Sequence, residues 1–321
     1  MSAPQLTLEQ RGRLTRSAAL ASVAVALCLL ILKTVAVWRT GSVAVLGSLA
    51  DTGLDLVASL VTLMGVRLAA MPADREHRFG HGKAEALASL FQVTLIGMAA
   101  IGLAGESIHR WLAGGHRASA AETGIVVSCI AIALSVALVV YQKRVVARTG
   151  SLAISTDNLH YQSDFFLNLS VIAALVLETY AGLTGVDLLA GFGIALWLGW
   201  GAWRSASNAV DHLMDKEWSV EDRQHFIDVA SRHPQLKGIH DLRTRKSGTT
   251  SFVQFHVMVD PTMTVRQAHR VMDEIEAVLM KEFPGVDILI HPDPEGHVEG
   301  GDDPLRGVET EVLLAQESGG K

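Results

Sequence analysis

The sequence predicts an all-α membrane domain of six spans followed by a small water-exposed α+β domain. Three observations predict it. The chain of 321 residues is 49% hydrophobic and only 19% charged, against about 25% charge in ordinary soluble proteins. Its mean hydropathy is +0.31. Charge is also divided unevenly. Residues 1–216 carry sixteen Lys+Arg against fourteen Asp+Glu, a net of +2, whereas residues 217–321 carry eleven against nineteen, a net of −8. With no basic stripe and a sequence pI of about 6.1, nucleic acid is not an expected partner.

A helix needs roughly 20 apolar residues to cross the hydrocarbon core of a bilayer. Six segments are candidates: 17–38, 43–66, 84–108, 123–141, 152–180 and 188–203. Trp38, Trp111, Tyr141 and Trp203 sit near their ends, where amphipathic rings favour the headgroup layer. One set of flanks holds Arg11, Arg13, Arg16, Arg67, Arg75, Arg78, Lys83, Lys143, Arg144 and Arg148. The opposite set holds only Lys33, Arg39, Arg110 and Arg117. The positive excess puts both termini in the cytoplasm. No cleavable signal peptide is expected, because the first apolar run starts after Arg16 and recurs five times. Cys28 and Cys129 lie in apolar runs with no CxxC partner and read as small hydrophobic side chains.

The pattern turns hydrophilic at Glu217. Residues 219–232 read as a helix with Ser219 as N-cap. Strands at 242–246 and 252–259 flank a Ser247-Gly248 turn, and alternation puts Val253, Phe255, Val257 and Val259 on one face. Residues 264–283 form an amphipathic helix that turns Ala268, Val271, Met272, Ile275 and Leu279 inward. Pro284-Gly285 stops it, and a last strand covers 286–291. The order αββαβ is that of a small α+β sandwich. The expected domains are a cytoplasmic N-terminal tail at 1–13, the membrane domain at 14–210, the cytoplasmic domain at 211–295 and a disordered acidic tail at 296–321.

A short internal repeat marks the site. Gly41-Ser42-Val43-Ala44-Val45 resembles Gly150-Ser151-Leu152-Ala153-Ile154. Ten residues after each Gly stands Asp51 or His160, and fourteen after stands Asp55 or Asp164. The spans concerned run in opposite directions, so the halves read as inverted copies, a common transporter plan. At about 1.5 Å per residue, ten residues reach roughly half the depth of the core. Asp51/Asp55 and His160/Asp164 are each four apart, on one helix face. Three carboxylates and one imidazole form a plausible tetrahedral set for a divalent transition metal. An acid at the bilayer centre costs about 2.5–3.5 kcal/mol. Buried acids that only hydrogen-bond to neighbours are therefore the weaker reading. Asp157 reads as an acid at a cytoplasmic entrance or an interfacial helix start. Glu85, Glu106 and Glu178 read as span-end acids reached by water.

The pairs Asp51/Asp55 and His160/Asp164, joined with the stretch Asp74, His77, His81 and Lys83, resemble the cation diffusion facilitator family. Within it the chain is similar to the bacterial ferrous-iron/zinc efflux (FieF-type) branch, from about Arg13 to Pro294. The resemblance implies a six-helix membrane domain, a cytoplasmic ferredoxin-like domain and a homodimer in a bacterial inner membrane. It also implies metal-out, proton-in exchange, with Asp51, Asp55, His160 and Asp164 as the transport site. Read alone, Asp74, His77 and His81 form a polar loop whose Arg75 and Arg78 would repel a cation; the resemblance makes them a second zinc site. It likewise makes His240, His256, His269, His291 and Asp293 a metal cluster bridging the dimer, with His269 ranked last. One departure is Pro292, where the family often shows a polar residue. Lys83 matches a family lysine that pairs with an acid at the position of Asp215. His109, His116, His212, His225, His233 and His297 have no partners at ligand spacing.

Function follows as export of Zn2+, with Fe2+ or Cd2+ as further candidates, against protons. Metal loading needs deprotonated carboxylates and neutral imidazole, so it releases protons. No GxxxxGK[ST] phosphate loop occurs. An intramembrane metalloenzyme would want an open coordination position and a base, as in HExxH, and no HExxH exists. A membrane-anchored metal sensor would not need six spans with acids at mid-depth.

Overall fold

The computed structural model describes residues 6–40, 43–112, 122–181, 186–248 and 250–296. The chain divides into two compact units, one spanning Glu9–Leu213 and the other built chiefly from Met214 onward. Residues 297–321, most of the expected acidic tail, lie outside the described residues, as do Gly41 and Ser42 of the repeat.

The first unit holds six long helices: α1 (Leu8–Thr40), α2 (Val43–Ala69), α3 (Ala84–Leu112), α4 (Glu122–Thr149), α5 (Leu152–Ala181) and α6 (Val186–Leu213). Among the described residues four stretches are long and apolar enough to cross a membrane: Glu9–Arg39, Leu46–Ala69, Ala84–Leu112 and Val127–Thr149. The apolar run of α5 is interrupted by Asp157, Asn158, His160, Gln162 and Asp164. The α4–α5 connection takes two residues. Gly150, at φ +67, closes α4 by donating its N–H to Val146 O at 2.8 Å, the left-handed cap that favours glycine. Ser151 Oγ then accepts the Ile154 N–H at 3.4 Å and starts α5.

Polarity in this unit is reversed relative to a soluble bundle. Met64, Ile101, Trp111 and Trp203 point outward, each at least 70% exposed, while Ser22, Ser59, Thr62, Ser89, Gln92, Gln142 and Asp157 are buried. An apolar exterior around a hydrogen-bonded interior is what a bilayer requires. Small residues let the helices approach. A Cβ on Gly65 would stand 2.5 Å from Ala88 Cβ and 3.1 Å from the Ala84 carbonyl oxygen, so α2 and α3 approach closely there, the small-residue contact typical of membrane helices.

In the second unit α7 (Val220–Ala230), β1 (Gly238–Ser247), β2 (Thr250–Val259), α8 (Val265–Glu282) and β3 (Val286–Pro294) follow in that order. Ser219 Oγ accepts from Asp222 N and caps α7. Thr264 and Gln267 form a reciprocal capping box on α8. The sheet order is β1-β2-β3, with β1 antiparallel and β3 parallel to β2. Val253, Phe255, Val257 and Val259 of β2 pack in one core with Val271, Met272, Ile275 and Leu279 of α8. Phe226 of α7 meets Trp218 and Phe255 edge to face, at 6.2 and 5.3 Å between ring centroids. This packing leaves Gln254, His256 and Met258 on the opposite face of β2.

Candidate metal sites

Helical spacing stacks Asp51 and Asp55 on α2, and His160 and Asp164 on α5. Three of these four come together. Asp55, His160 and Asp164 each offer a ligand atom, and these atoms lie within 4.8 Å of one another. His160 Nε2 stands 3.0 Å from Asp55 Oδ1 and 3.8 Å from Asp164 Oδ2. All three side chains are half-buried. Asp51 is exposed, one turn along α2 and outside the cluster. The His160 ring meets Tyr161 edge-on at 5.6 Å. Tyr161 Oη donates to Ser22 O at 3.0 Å and lies 3.0 Å from Ser59 Oγ. α5 is thereby pinned to α1 and α2 beside the cluster.

Two acids depart from their expected surroundings. Asp157 is fully buried. Its carboxylate accepts from Ser22 Oγ at 2.5 Å, Gln142 Nε2 at 2.6 Å and Gln92 Nε2 at 2.8 Å. It is the point where α1, α3 and α4 meet α5. Glu85 is also buried, accepting from Ser151 Oγ at 2.6 Å. Neither lies at a water-reached helix end. Lys33, expected at the outer flank, instead donates from Nζ to Ser48 O at 3.1 Å and Thr52 Oγ1 at 2.6 Å. Sequence patterning holds no signal for these contacts, since each joins residues far apart along the chain.

The loop between α2 and α3 gathers a second group. Asp74, His77 and His81 bring their ligand atoms within 4.8 Å. Asp74 Oδ1 accepts the backbone N–H groups of His77 and Glu76 at 2.6 and 2.9 Å. The His77 N–H chiefly holds this carboxyl below its usual range. His77 Nδ1 lies 3.4 Å from Oδ1 and His81 Nε2 3.3 Å from Oδ2. Gly80, at φ +78, makes the turn that returns His81 to Asp74. Lys83 Nζ donates to Leu213 O at 3.2 Å, and Asp215 lies 3.6 Å from Arg245.

A third group forms on the sheet. His240 pairs with His256 across β1 and β2, and His256 with His291 across β2 and β3. Three imidazoles therefore stand in one row across the strands. Ring centroids are 5.2 Å apart for His240 and His256, and 4.6 Å for His256 and His291. Asp293, two residues past His291 on the same face, lies under the row. Its Oδ2 is 2.8 Å from His256 Nδ1 and 3.2 Å from His240 Nε2, and its Oδ1 is 3.4 Å from His291 Nε2. Burial opposes ionisation of Asp293, but the hydrogen bond with His256 and the surrounding imidazoles outweigh it and hold the carboxyl below its usual range. His240, His256 and Asp293 have ligand atoms within 4.8 Å, with His291 at the exposed rim. Pro292 takes the other face of β3 and leaves this row intact.

His269 stands apart, exposed on α8 and 3.6 Å from Asp273. Asp241 was not legible. Its Oδ2 comes within 3.7 Å of His256 Nε2 because a bulge between His240 and Arg243 breaks the alternation. Asp241 itself adopts φ 49, a left-handed conformation that Asp tolerates better than most residues. His225 and His233 lie against Glu282 and Glu274, whereas His116 and His297 lie outside the described residues.

Residues 19–214 match the family described as the cation efflux transmembrane domain, and residues 218–295 match the cytoplasmic domain of cation efflux proteins. The cation-efflux pump FieF of Serratia proteamaculans is 42% identical over 291 residues, which cover 89% of this chain and 94% of the relative. That of Cronobacter sakazakii is 41% identical over 283 residues, covering 88% and 94%. Among solved structures, the metal-bound C-terminal domain of the CzcD transporter from Thermotoga maritima is 32% identical. It covers 25% of this chain and 94% of its own length, with a TM-score of 0.24. Two matched regions that together take in most of the chain, and relatives aligned almost end to end, place this chain in the cation diffusion facilitator family: it is a cation efflux transporter of the membrane and not an enzyme.

Proposed function

We propose that this transporter carries Zn2+ out of the cytoplasm across a bacterial inner membrane, with Fe2+ and Cd2+ as alternative cargo, in exchange for protons. The observation that carries the reading is the convergence of Asp55, His160 and Asp164 between α2 and α5. Two intramembrane acids cost about 5–7 kcal/mol at the bilayer centre, comparable to the low end of a domain's stability. A role in holding cations accounts for their presence. Mixed oxygen and nitrogen ligation favours zinc or cadmium over manganese. Asp51 completes a tetrahedral set when it turns toward Asp55, one turn away on α2. Each loading event displaces protons from the ligands, so a site that faces each side in turn couples metal exit to proton entry.

In this reading α5 and α6 complete six spans at 14–210, with the tail 1–13 and the domain 211–295 both in the cytoplasm, and 296–321 is a disordered acidic tail. Two chains form a homodimer. Zinc held by Asp74, His77 and His81 orders the loop. Zinc held by His240, His256, His291 and Asp293, with His269 on the periphery, draws the two cytoplasmic domains together. The donor sets suit zinc. Lys83 and Asp215 link the loop to the connector. Zinc uptake into proteoliposomes under an imposed pH gradient tests the core of the proposal. Flux should scale with the gradient and collapse with a protonophore. Flux indifferent to both would exclude proton exchange.

A further inference from the structure

Between Arg16 and Arg39 the sequence of α1 holds one charged residue, Lys33. A lysine in an apolar span normally stretches its stem to bring the ammonium to water. Lys33 does the opposite. Its Nζ is fixed to Ser48 O and Thr52 Oγ1, and Thr52, itself 1% exposed, donates to the same Ser48 carbonyl at 3.1 Å. Ser48, Thr52 and Asp55 follow one another at helical spacing along one face of α2. The ammonium therefore sits one turn from Asp55, within electrostatic reach of Asp55, Asp164 and Asp51.

We propose that Lys33 is a fixed counter-cation of the transport site that sets its affinity for divalent cargo. The inference rests on the transport-site reading above. Three carboxylates around a dication leave one uncompensated negative charge, and the Lys33 ammonium cancels it. A neutral loaded site matters where the dielectric is low, because residual charge there is costly. The same positive charge weakens the hold on the metal. A transport site must bind its cargo well enough to load and loosely enough to let it go, and Lys33 shifts the balance toward release. It also discriminates by charge. A monovalent ion leaves the site negative and gains less from the acids in the presence of a competing ammonium.

The test is zinc-flux kinetics of the full-length transporter in proteoliposomes. Lys33→Gln keeps a hydrogen-bonding side chain and removes the charge. It is expected to lower KM for zinc about tenfold, equivalent to ~1.4 kcal/mol of tighter binding, and to lower kcat as release slows. Lys33→Arg should restore both values toward the parent. Lys33→Met, uncharged and of similar length, provides the same reading should the Gln variant fail to fold. Asp164→Asn is the control for the underlying site and should abolish saturable flux. If Asp164→Asn does so while the uncharged Lys33 variants keep the parent KM or raise it, the site stands and the role of Lys33 is overturned. If Asp164→Asn retains the parent kinetics, the transport-site reading itself fails, and the Lys33 inference goes with it.

Discussion

Asp157→Ala should loosen the membrane domain more than its helix-start position in the sequence suggests. The carboxylate is wholly buried and receives Ser22 from α1, Gln92 from α3 and Gln142 from α4. Removing it leaves three buried donors without their acceptor. At about 1–3 kcal/mol for each orphaned group, the ceiling is about 3–9 kcal/mol. Two effects pull the cost toward the lower end. Gln142 Nε2 also reaches Ser22 Oγ at 2.9 Å, so that pair can partly satisfy itself. A water molecule can also enter the space left by the carboxylate, since the site is polar. A loss of about 3 kcal/mol is expected. For a helical domain of this size that corresponds to a Tm lowered by about 6–12 °C. Asp157→Asn keeps one acceptor oxygen and should fall by less than half as much. Tryptophan-fluorescence melting of the detergent-solubilised protein reads the change. An Asp157→Ala variant that melts within about 2 °C of the parent would show that the convergence does not hold these helices together.

Three further outcomes are expected. His160→Asp replaces the one nitrogen of the membrane cluster by oxygen and should broaden transport toward Mn2+; an unchanged Zn2+/Mn2+ preference in a competition assay would remove His160 from the ligand set. The Thr262 hydroxyl and N–H, donating to Asp260 Oδ1 at 2.6 and 2.8 Å, hold that carboxyl below its usual range. Because the folded value lies below the unfolded one, the stabilisation is present above the unfolded pKa and is lost as pH falls through the folded one. Thr262→Val should move the Asp260 midpoint upward in an NMR titration, and a midpoint that stays put contradicts the assignment. Finally, spin labels on the two cytoplasmic domains of a dimer should approach each other on zinc addition, and His240→Ala/His291→Ala should blunt the approach. Distances that ignore zinc would make the domain a scaffold.

What could be read from the sequence was local. The i,i+4 spacing set His160 and Asp164 on one face of α5, and alternation separated the core side of β2 from the side bearing His256. Ser219 announced its helix because capping is a matter of three or four residues. Beyond the meeting of Asp55 with His160 and Asp164, which the repeat announced, contacts between elements were not legible. Glu85 looks like a span-end acid until Ser151, 66 residues away, is found against it. Lys33 looks like one more flanking charge until α2 supplies Ser48 and Thr52. The position of Asp241 beside His256 depends on a bulge, which breaks the period-2 rule that strand reading relies on. Asp51 shows the limit of spacing from the other direction. It shares a helix face with Asp55, yet its side chain is exposed while Asp55 meets His160.

The central claim is that the cluster between α2 and α5 carries the cargo. It is tested most directly by zinc flux through purified Asp55→Ala and Asp164→Ala variants in proteoliposomes, each first shown to be inserted and to elute like the parent. The account predicts that both variants lose zinc flux under a pH gradient that drives the parent. Undiminished flux in either one would contradict it.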